Sequence, residues 1–355
     1  MRYNQVESSI CGRKWGDAMA TISLCMIVKD EEDILARCLD GIADLMDEII
    51  IVDTGSTDRT KEIAAKYTDK IFDFEWKDDF ASARNYAFSK ATMDYIYSAD
   101  ADEVIDEENH ERFRLLKEAM LSEIEIVQMY YTNQLEYNTS YNFDEELRPK
   151  LYKRVRNFTW QDAVHENVRL EPVVFNSDIR IKHCPTGAHQ SRDFSIYQKL
   201  IDGKKTISAH MQMMYARELF ISGSDDDFLN AEDYFKKCME KDEDLELLYM
   251  DSCVVAKAAR LRDEPEGLLL AASRALDAGD APSELLFELA EYYRNHKNYK
   301  EAAKWYHNSA FESEAILNAS YNSSYPLVGL HICYVIMGDT EKAAKYAALL
   351  RESRV

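Results

Sequence analysis

Glu48-Ile49-Ile50-Ile51-Val52-Asp53-Thr54-Gly55-Ser56-Thr57-Asp58 passes without a break from an apolar run into a polar turn. A short run of β-branched residues closed by a glycine turn reads as a strand covered on both faces. Ser56, Thr57 and Asp58 are then capping candidates for a helix expected over Thr60 to Tyr67. Upstream, Ile22 to Val28 is a second such run. Lys29-Asp30-Glu31-Glu32 follows as an acidic helix start, with Ile34, Leu35, Cys38, Leu39, Ile42 and Leu45 at helical spacing. Downstream, Ile71 to Phe74 predicts a strand and Ala81 to Ala91 a helix. Tyr95 to Ser98 is a further strand, running into Ala99-Asp100-Ala101-Asp102-Glu103. Repeated βα units predict an α/β fold with a mostly parallel sheet, whose ligand crevice lies beyond the carboxyl ends of its strands. Lys29–Glu31, Asp53–Asp58 and Asp100–Asp102 all fall at such ends, so the fold is expected to gather them. Ile124 to Thr132, Leu151 to Val155, Val173 to Phe175 and Ile179 to His183 are expected to complete the sheet.

Past Lys204 the pattern is helix after helix. Leu268 and Ala302 stand 34 residues apart, as do Ala275 and Ser309. Around them Leu286, Leu289, Ala290, Tyr293, Tyr299, Ala302 and Tyr306 follow the spacing of a tetratricopeptide unit. Leu330 to Tyr346, turning at Gly338-Asp339, echoes it, and Ala231, Tyr234, Phe235 and Cys238 form a weaker copy. Three or four helical hairpins over about 205–355 are expected. The predicted organisation is an extension over 1–20, an α/β domain over 21–203 and a helical domain over 204–355.

Composition narrows the function. With 46% hydrophobic residues the chain has material for a packed core, and 11 Gly with 6 Pro is low enough to favour helix. The net charge is −22 and both halves are acidic, which disfavours a general nucleic-acid binder. The longest uncharged run, Ala315 to Gly338, carries too many Asn and Ser residues for a membrane span. No apolar signal region occupies the first twenty residues, and the seven cysteines are scattered without a CxxC. A cytoplasmic chain with free buried thiols is therefore expected.

Asp225-Asp226-Asp227 and Asp242-Glu243-Asp244 read as a solvated loop and a helix start. Asp100-Ala101-Asp102 differs in its setting at a strand end. Two carboxylates there offer hard oxygens for Mg²⁺ or Mn²⁺, or else cap the next helix. Asp53 could accept the imide N–H of a uracil ring, or cap its own turn. Arg84 could meet a phosphate, or balance Asp79 or Asp100.

Four segments resemble, in order, those of family 2 glycosyltransferases, inverting GT-A-fold enzymes that use nucleotide sugars. They are Ser23 to Glu32, Val52 to Asp58, Ala83-Arg84-Asn85 and Tyr97 to Glu103, and the resemblance covers about 21–185. The helical repeats, with Trp76 to Phe80, Val164-His165-Glu166 and Lys182-His183, are similar to the subgroup that includes bacteriocin S-glycosyltransferases. The resemblance implies that Ile27, Val28, Lys29, Glu31, Asp53, Arg84, Asp100 and Ala101 hold the nucleotide. It implies that Asp100, Asp102 and His183 hold the metal, and that Glu166 is the catalytic base, with Asp162 the alternative and His165 orienting either. Lys29 stands where an aromatic often covers the base, and Thr54 replaces a second aspartate.

The implied function is metal-dependent transfer of a hexose from a UDP-sugar (UDP-Glc, UDP-GlcNAc or similar) to a Ser, Thr or Cys side chain of a peptide or protein such as a bacteriocin precursor or flagellin. A transferase of lipopolysaccharide or capsule assembly is one rival. A non-catalytic repeat scaffold, its array binding partners beside a degenerate catalytic domain, is the other; in the leading reading the helical array presents the acceptor in its groove or forms a homodimer surface.

Overall fold

The computed structural model describes residues 19–133, 145–156, 158–168, 173–184, 190–241 and 244–352. Most of the N-terminal extension, residues 1–18, and Asp242-Glu243 lie outside the described residues. The chain divides into two compact units between residues 188 and 189.

The first unit is built on one eight-stranded sheet. Its strands in chain order are β1 (Ile22–Val28), β2 (Glu48–Asp53), β3 (Ile71–Asp73), β4 (Tyr95–Ser98), β5 (Glu103–Val104), β6 (Ile126–Thr132), β7 (Glu146–Lys153) and β8 (Val174–His183). Their spatial order is β3-β2-β1-β4-β7-β6-β8-β5. β1 pairs in parallel with β2 and β4, and β2 with β3; β7 runs antiparallel between β4 and β6. Helices α1 (Leu35–Asp40), α2 (Thr60–Ala64), α3 (Phe80–Phe88) and α4 (Glu107–Ala119) make the crossovers.

The apolar runs are explained by two cores, one on each face. Ile22, Leu24, Met26 and Val28 of β1 pack with Leu35, Leu39, Tyr97 and Phe113 on one side. Cys25, Ile50 and Val52 pack with Phe88, Tyr152 and Trp160 on the other. At the amino end of β2 the buried Glu48 accepts hydrogen bonds from Ser23, Thr92 and Lys70. Burial alone would raise its pKa, but these bonds hold it down at about 2. Glu48→Gln is expected to cost about 2 kcal/mol of stability at neutral pH by urea titration. A depressed carboxyl stabilises only while ionised, so the difference should shrink as pH falls from about 4.5 towards about 2.

Three expectations need correction. Lys29–Glu32 does not start a helix; α1 begins at Leu35, because these residues bond across to the loop after β2. Val173–Phe175 and Ile179–His183 are not separate strands. All but Val173 belong to the single strand β8, whose register against β6 shifts between Gln128 and Tyr130. Asp225–Asp227 is the first turn of a helix with a capping box from Ser224, not a loop, since carboxylates suit a helix amino end.

The described residues from 190 onward belong to the second unit. Helix α5 (Gln190–Asp202) packs on α6 (Ala209–Ser222) and α7 (Asp225–Met239), with the Tyr197 and Tyr215 rings stacked at 4.2 Å. Three hairpins follow: α8 (Leu245–Leu261) with α9 (Pro265–Ala278), α10 (Ser283–Asn295) with α11 (Tyr299–Phe311), and α12 (Ser324–Met337) with α13 (Thr340–Glu352). They are tetratricopeptide-like. Ala290, Ala302, Tyr306, Leu330 and Cys333 are buried between them. Gly329 of α12 lies so close to the Tyr306 ring that any side chain would overlap it. Gly338, at φ +77°, closes α12 and lets α13 fold back. No described helix is long and apolar enough to cross a membrane, and no disulfide forms among the described residues.

Candidate active site

Val28 pairs with Asp53 across β1 and β2, and Cys25 with Ser98 across β1 and β4, so the carboxyl ends of these three strands meet at one rim. The loops after β1 and β2 are stitched together. The amides of Asp30, Glu31 and Glu32 donate to Ser56 Oγ, Thr60 Oγ1 and Asp58 Oδ2. In return Asp30 Oδ1 accepts from the Thr57 amide at 2.7 Å. Thr54 donates its amide and its hydroxyl to the Val28 carbonyl. The polar residues after Val52 are therefore capping groups for two loops at once, which fixes the cradle before any ligand arrives.

Asp53 caps its own turn, one of the two roles its position offers. Its Oδ1 caps the turn, accepting from the Gly55 and Ser56 amides at 2.9 Å each. That turn requires Gly55 at φ +107°. Its Oδ2 is buried without a hydrogen-bond partner among the described residues, and the residue is only 1% exposed. A buried carboxylate oxygen left open is costly unless a donor fills it.

Arg84, on α3, does not balance Asp79, which instead caps α3 through the Ser82 amide. Its guanidinium donates to Asp100 Oδ1 at 2.9 Å, to Ser98 Oγ at 3.2 Å and to Glu166 Oε1, and it lies over the Trp160 ring. Burial would raise the Asp100 pKa, but Arg84 foremost holds it at about 2. Asp102 takes a different partner. Its Oδ2 lies 3.1 Å from His183 Nε2, while its Oδ1 is buried with no hydrogen-bond partner among the described residues. Among the described residues no group of three or more His, Cys, Asp or Glu side chains is arranged to hold a metal ion. Asp102 with His183 is the pair that is assembled; Asp100 is engaged by Arg84.

Beneath the acidic turn lies an ion pair absent from the sequence reading. Glu103 and Lys150 of β7 are both buried and bonded at 2.5 Å. Burial, reinforced by the Asp100 and Asp102 charges, pushes Glu103 up to about 7 despite Lys150. The Asp100 and Asp102 charges therefore repel a charge on Glu103. Tyr131 lies against the His183 ring at 5.3 Å and fixes its plane. Glu103 was legible as the next residue of the acidic motif. Lys150 and Tyr131, on strands far along the chain, gave no local signal.

The remaining site residues lie on the loop 158–168. Glu166 meets Arg84, with its side chain 11% exposed. Asp162, at φ +70°, is bonded to Asn167 within its own loop, and His165 has φ +48°. Of the two candidate bases, only Glu166 joins the Arg84–Asp100 pair. Ile27 and Val28 end β1 under the cradle, Lys29 is exposed beside it and Glu31 is half-buried; Ala101 is buried within the acidic turn.

Residues 23–170 match the family model described as Glycosyl transferase family 2. A TPR repeat-containing protein of Synechococcus elongatus is 52% identical over 88 residues, 25% of this chain and 22% of that protein. The SPbeta prophage-derived glycosyltransferase SunS of Bacillus subtilis is 28% identical over 176 residues, 49% of this chain and 40% of that protein. The alignments thus span less than half the length of either relative. Among solved structures, glucosyl-3-phosphoglycerate synthase from Mycobacterium tuberculosis, in complex with Mn²⁺ and UDP-glucose, aligns with a TM-score of 0.38 at 13% identity. That alignment covers 57% of this chain and 83% of that one.

Proposed function

We propose, from the premise that residues 23–170 are a family 2 glycosyltransferase domain, that the chain transfers a hexose from a UDP-sugar to a side chain of a peptide or protein. The observation that carries the reading is the convergence at one rim of an open buried carboxylate oxygen on Asp53, the Asp102–His183 pair, and Glu166 locked to Arg84.

Each group has a task that its surroundings suit. Asp53 Oδ2 accepts the imide N–H of uracil, and a base without that donor leaves the oxygen unpaired. The stitched loops hold the backbone of Ile27 to Lys29 along the nucleoside. Asp102 and His183 fit a divalent cation, offering an open carboxylate oxygen beside an imidazole nitrogen. Mn²⁺ or Mg²⁺ held there would neutralise the diphosphate leaving group. Glu166 takes the proton from the acceptor nucleophile as that atom attacks the anomeric carbon opposite the diphosphate, in a single inverting displacement. Arg84 orients the Glu166 carboxylate by a charge-assisted bond. We assign the peptide acceptor to the tetratricopeptide-like hairpins, an architecture suited to extended segments.

Two measurements test this. UDP with Mn²⁺ at about one hundred times Kd should stabilise the chain by about 2.7 kcal/mol; an unmoved melting curve rejects the donor assignment. Radiolabelled UDP-sugars incubated with the enzyme and host lysate should label protein. Label found only in lipid rejects the peptide acceptor and favours a lipopolysaccharide or capsule substrate.

A further inference from the structure

We propose that Asn85 is a positioning residue that holds the loop carrying Glu166, with α3 acting as a splint for that loop. The inference rests on the reading of Glu166 as the base.

Arg84 and Phe88, four residues apart, share one face of α3, with Asn85 on its flank and Phe80 at its first turn. All four meet the loop 158–168. The Phe80 amide donates to the Ala163 carbonyl at 2.9 Å. Asn85 Oδ1 accepts from the Trp160 amide at 2.8 Å, and Asn85 Nδ2 donates to the Trp160 carbonyl at 3.0 Å. Phe88 meets the Trp160 ring edge-on at 5.8 Å, and Arg84 reaches Glu166.

The loop is closed on itself by the Asn167 side chain donating to Asp162 and by one backbone bridge. Its internal ladder is a single bridge between Gln161 and Asn167, and Asp162 and His165 both adopt left-handed backbone that non-glycine residues disfavour. Such a conformation persists only when its surroundings over-determine it. The Asn85 side chain is matched to that task, because a carboxamide offers one donor and one acceptor and so satisfies both main-chain groups of Trp160. Asp keeps the acceptor and loses the donor; Ala loses both. Asn85 bonds neither the acidic turn nor the uracil-facing oxygen of Asp53. Its loss should therefore move the base and spare the donor site.

The test uses the full chain and the variants Asn85→Ala and Asn85→Asp, read by hydrogen exchange, by UDP–Mn²⁺ calorimetry and by turnover of the UDP-sugar. In Asn85→Ala, amides of 158–168 should exchange at least about tenfold faster, while β1, β2 and β4 stay protected. UDP affinity and donor KM should stay within about twofold and kcat should fall about 10–100-fold, since a small misplacement of a base is that costly. Asn85→Asp should lie between and preserves the result should Asn85→Ala fold poorly. Unchanged loop protection, or unchanged kcat with a loosened loop, overturns the proposal. Should the wild-type chain neither bind UDP nor turn over, the functional reading fails, while loop exchange still decides whether Asn85 is the clamp.

Discussion

Glu166→Gln is expected to reduce kcat by about 10²–10⁴-fold while leaving UDP affinity within about twofold. The amide matches the carboxylate in shape and can still accept from Arg84, so the loop keeps its place. It cannot take a proton from the acceptor, and that is the quantity lost. Asp162→Asn serves as the comparison, because Asp162 bonds within its own loop and not to Arg84. Its expected loss is under tenfold, as for a residue that only shapes the backbone. Single-turnover measurements with donor and acceptor separate the chemical step from release. Equal losses in the two variants, or a larger loss in Asp162→Asn, would move the base to Asp162.

Asp102→Asn should abolish the stabilisation by UDP with Mn²⁺ and lower turnover by more than about 10³-fold. In the proposed mechanism several kcal/mol of leaving-group stabilisation depend on its carboxylate, and each 1.4 kcal/mol is about tenfold in rate. The wild-type gain of about 2.7 kcal/mol corresponds to roughly 5–10 °C in melting temperature, and the variant should show none of it. Without ligand the variant should melt close to the wild type. The amide matches the carboxylate in size, and its oxygen can still accept from the His183 ring. His183→Ala should reproduce the ligand effect. Full stabilisation by UDP and Mn²⁺ in Asp102→Asn would show that the diphosphate is held elsewhere.

Much of the scaffold was legible because its information is local. Ile49 to Val52 is apolar throughout and Ile22 to Val28 is apolar but for Ser23, as suits strands covered on both faces, and the polar clusters followed them directly. The helical hairpins announced themselves through small and aromatic residues at fixed spacing, and Ala290, Ala302 and Tyr306 are buried where that spacing put them. Boundaries were less legible. The acidic stretch Lys29–Glu32 has the composition of a helix start, yet bonds to the neighbouring loop outweigh that preference.

The amino-acid sequence by itself determined that residues near 29, 53 and 100 would end parallel strands, because apolar runs, glycine turns and capping residues act over a few positions. Only the tertiary structure decided the partners. Arg84 meets Glu166 across 82 residues and His183 meets Asp102 across 81, while Lys150 slides under Glu103 through the pairing of β7 with β4. A guanidinium is equally attracted to any nearby carboxylate. Strand register and loop path, set by the packing of the whole unit, choose which one it reaches.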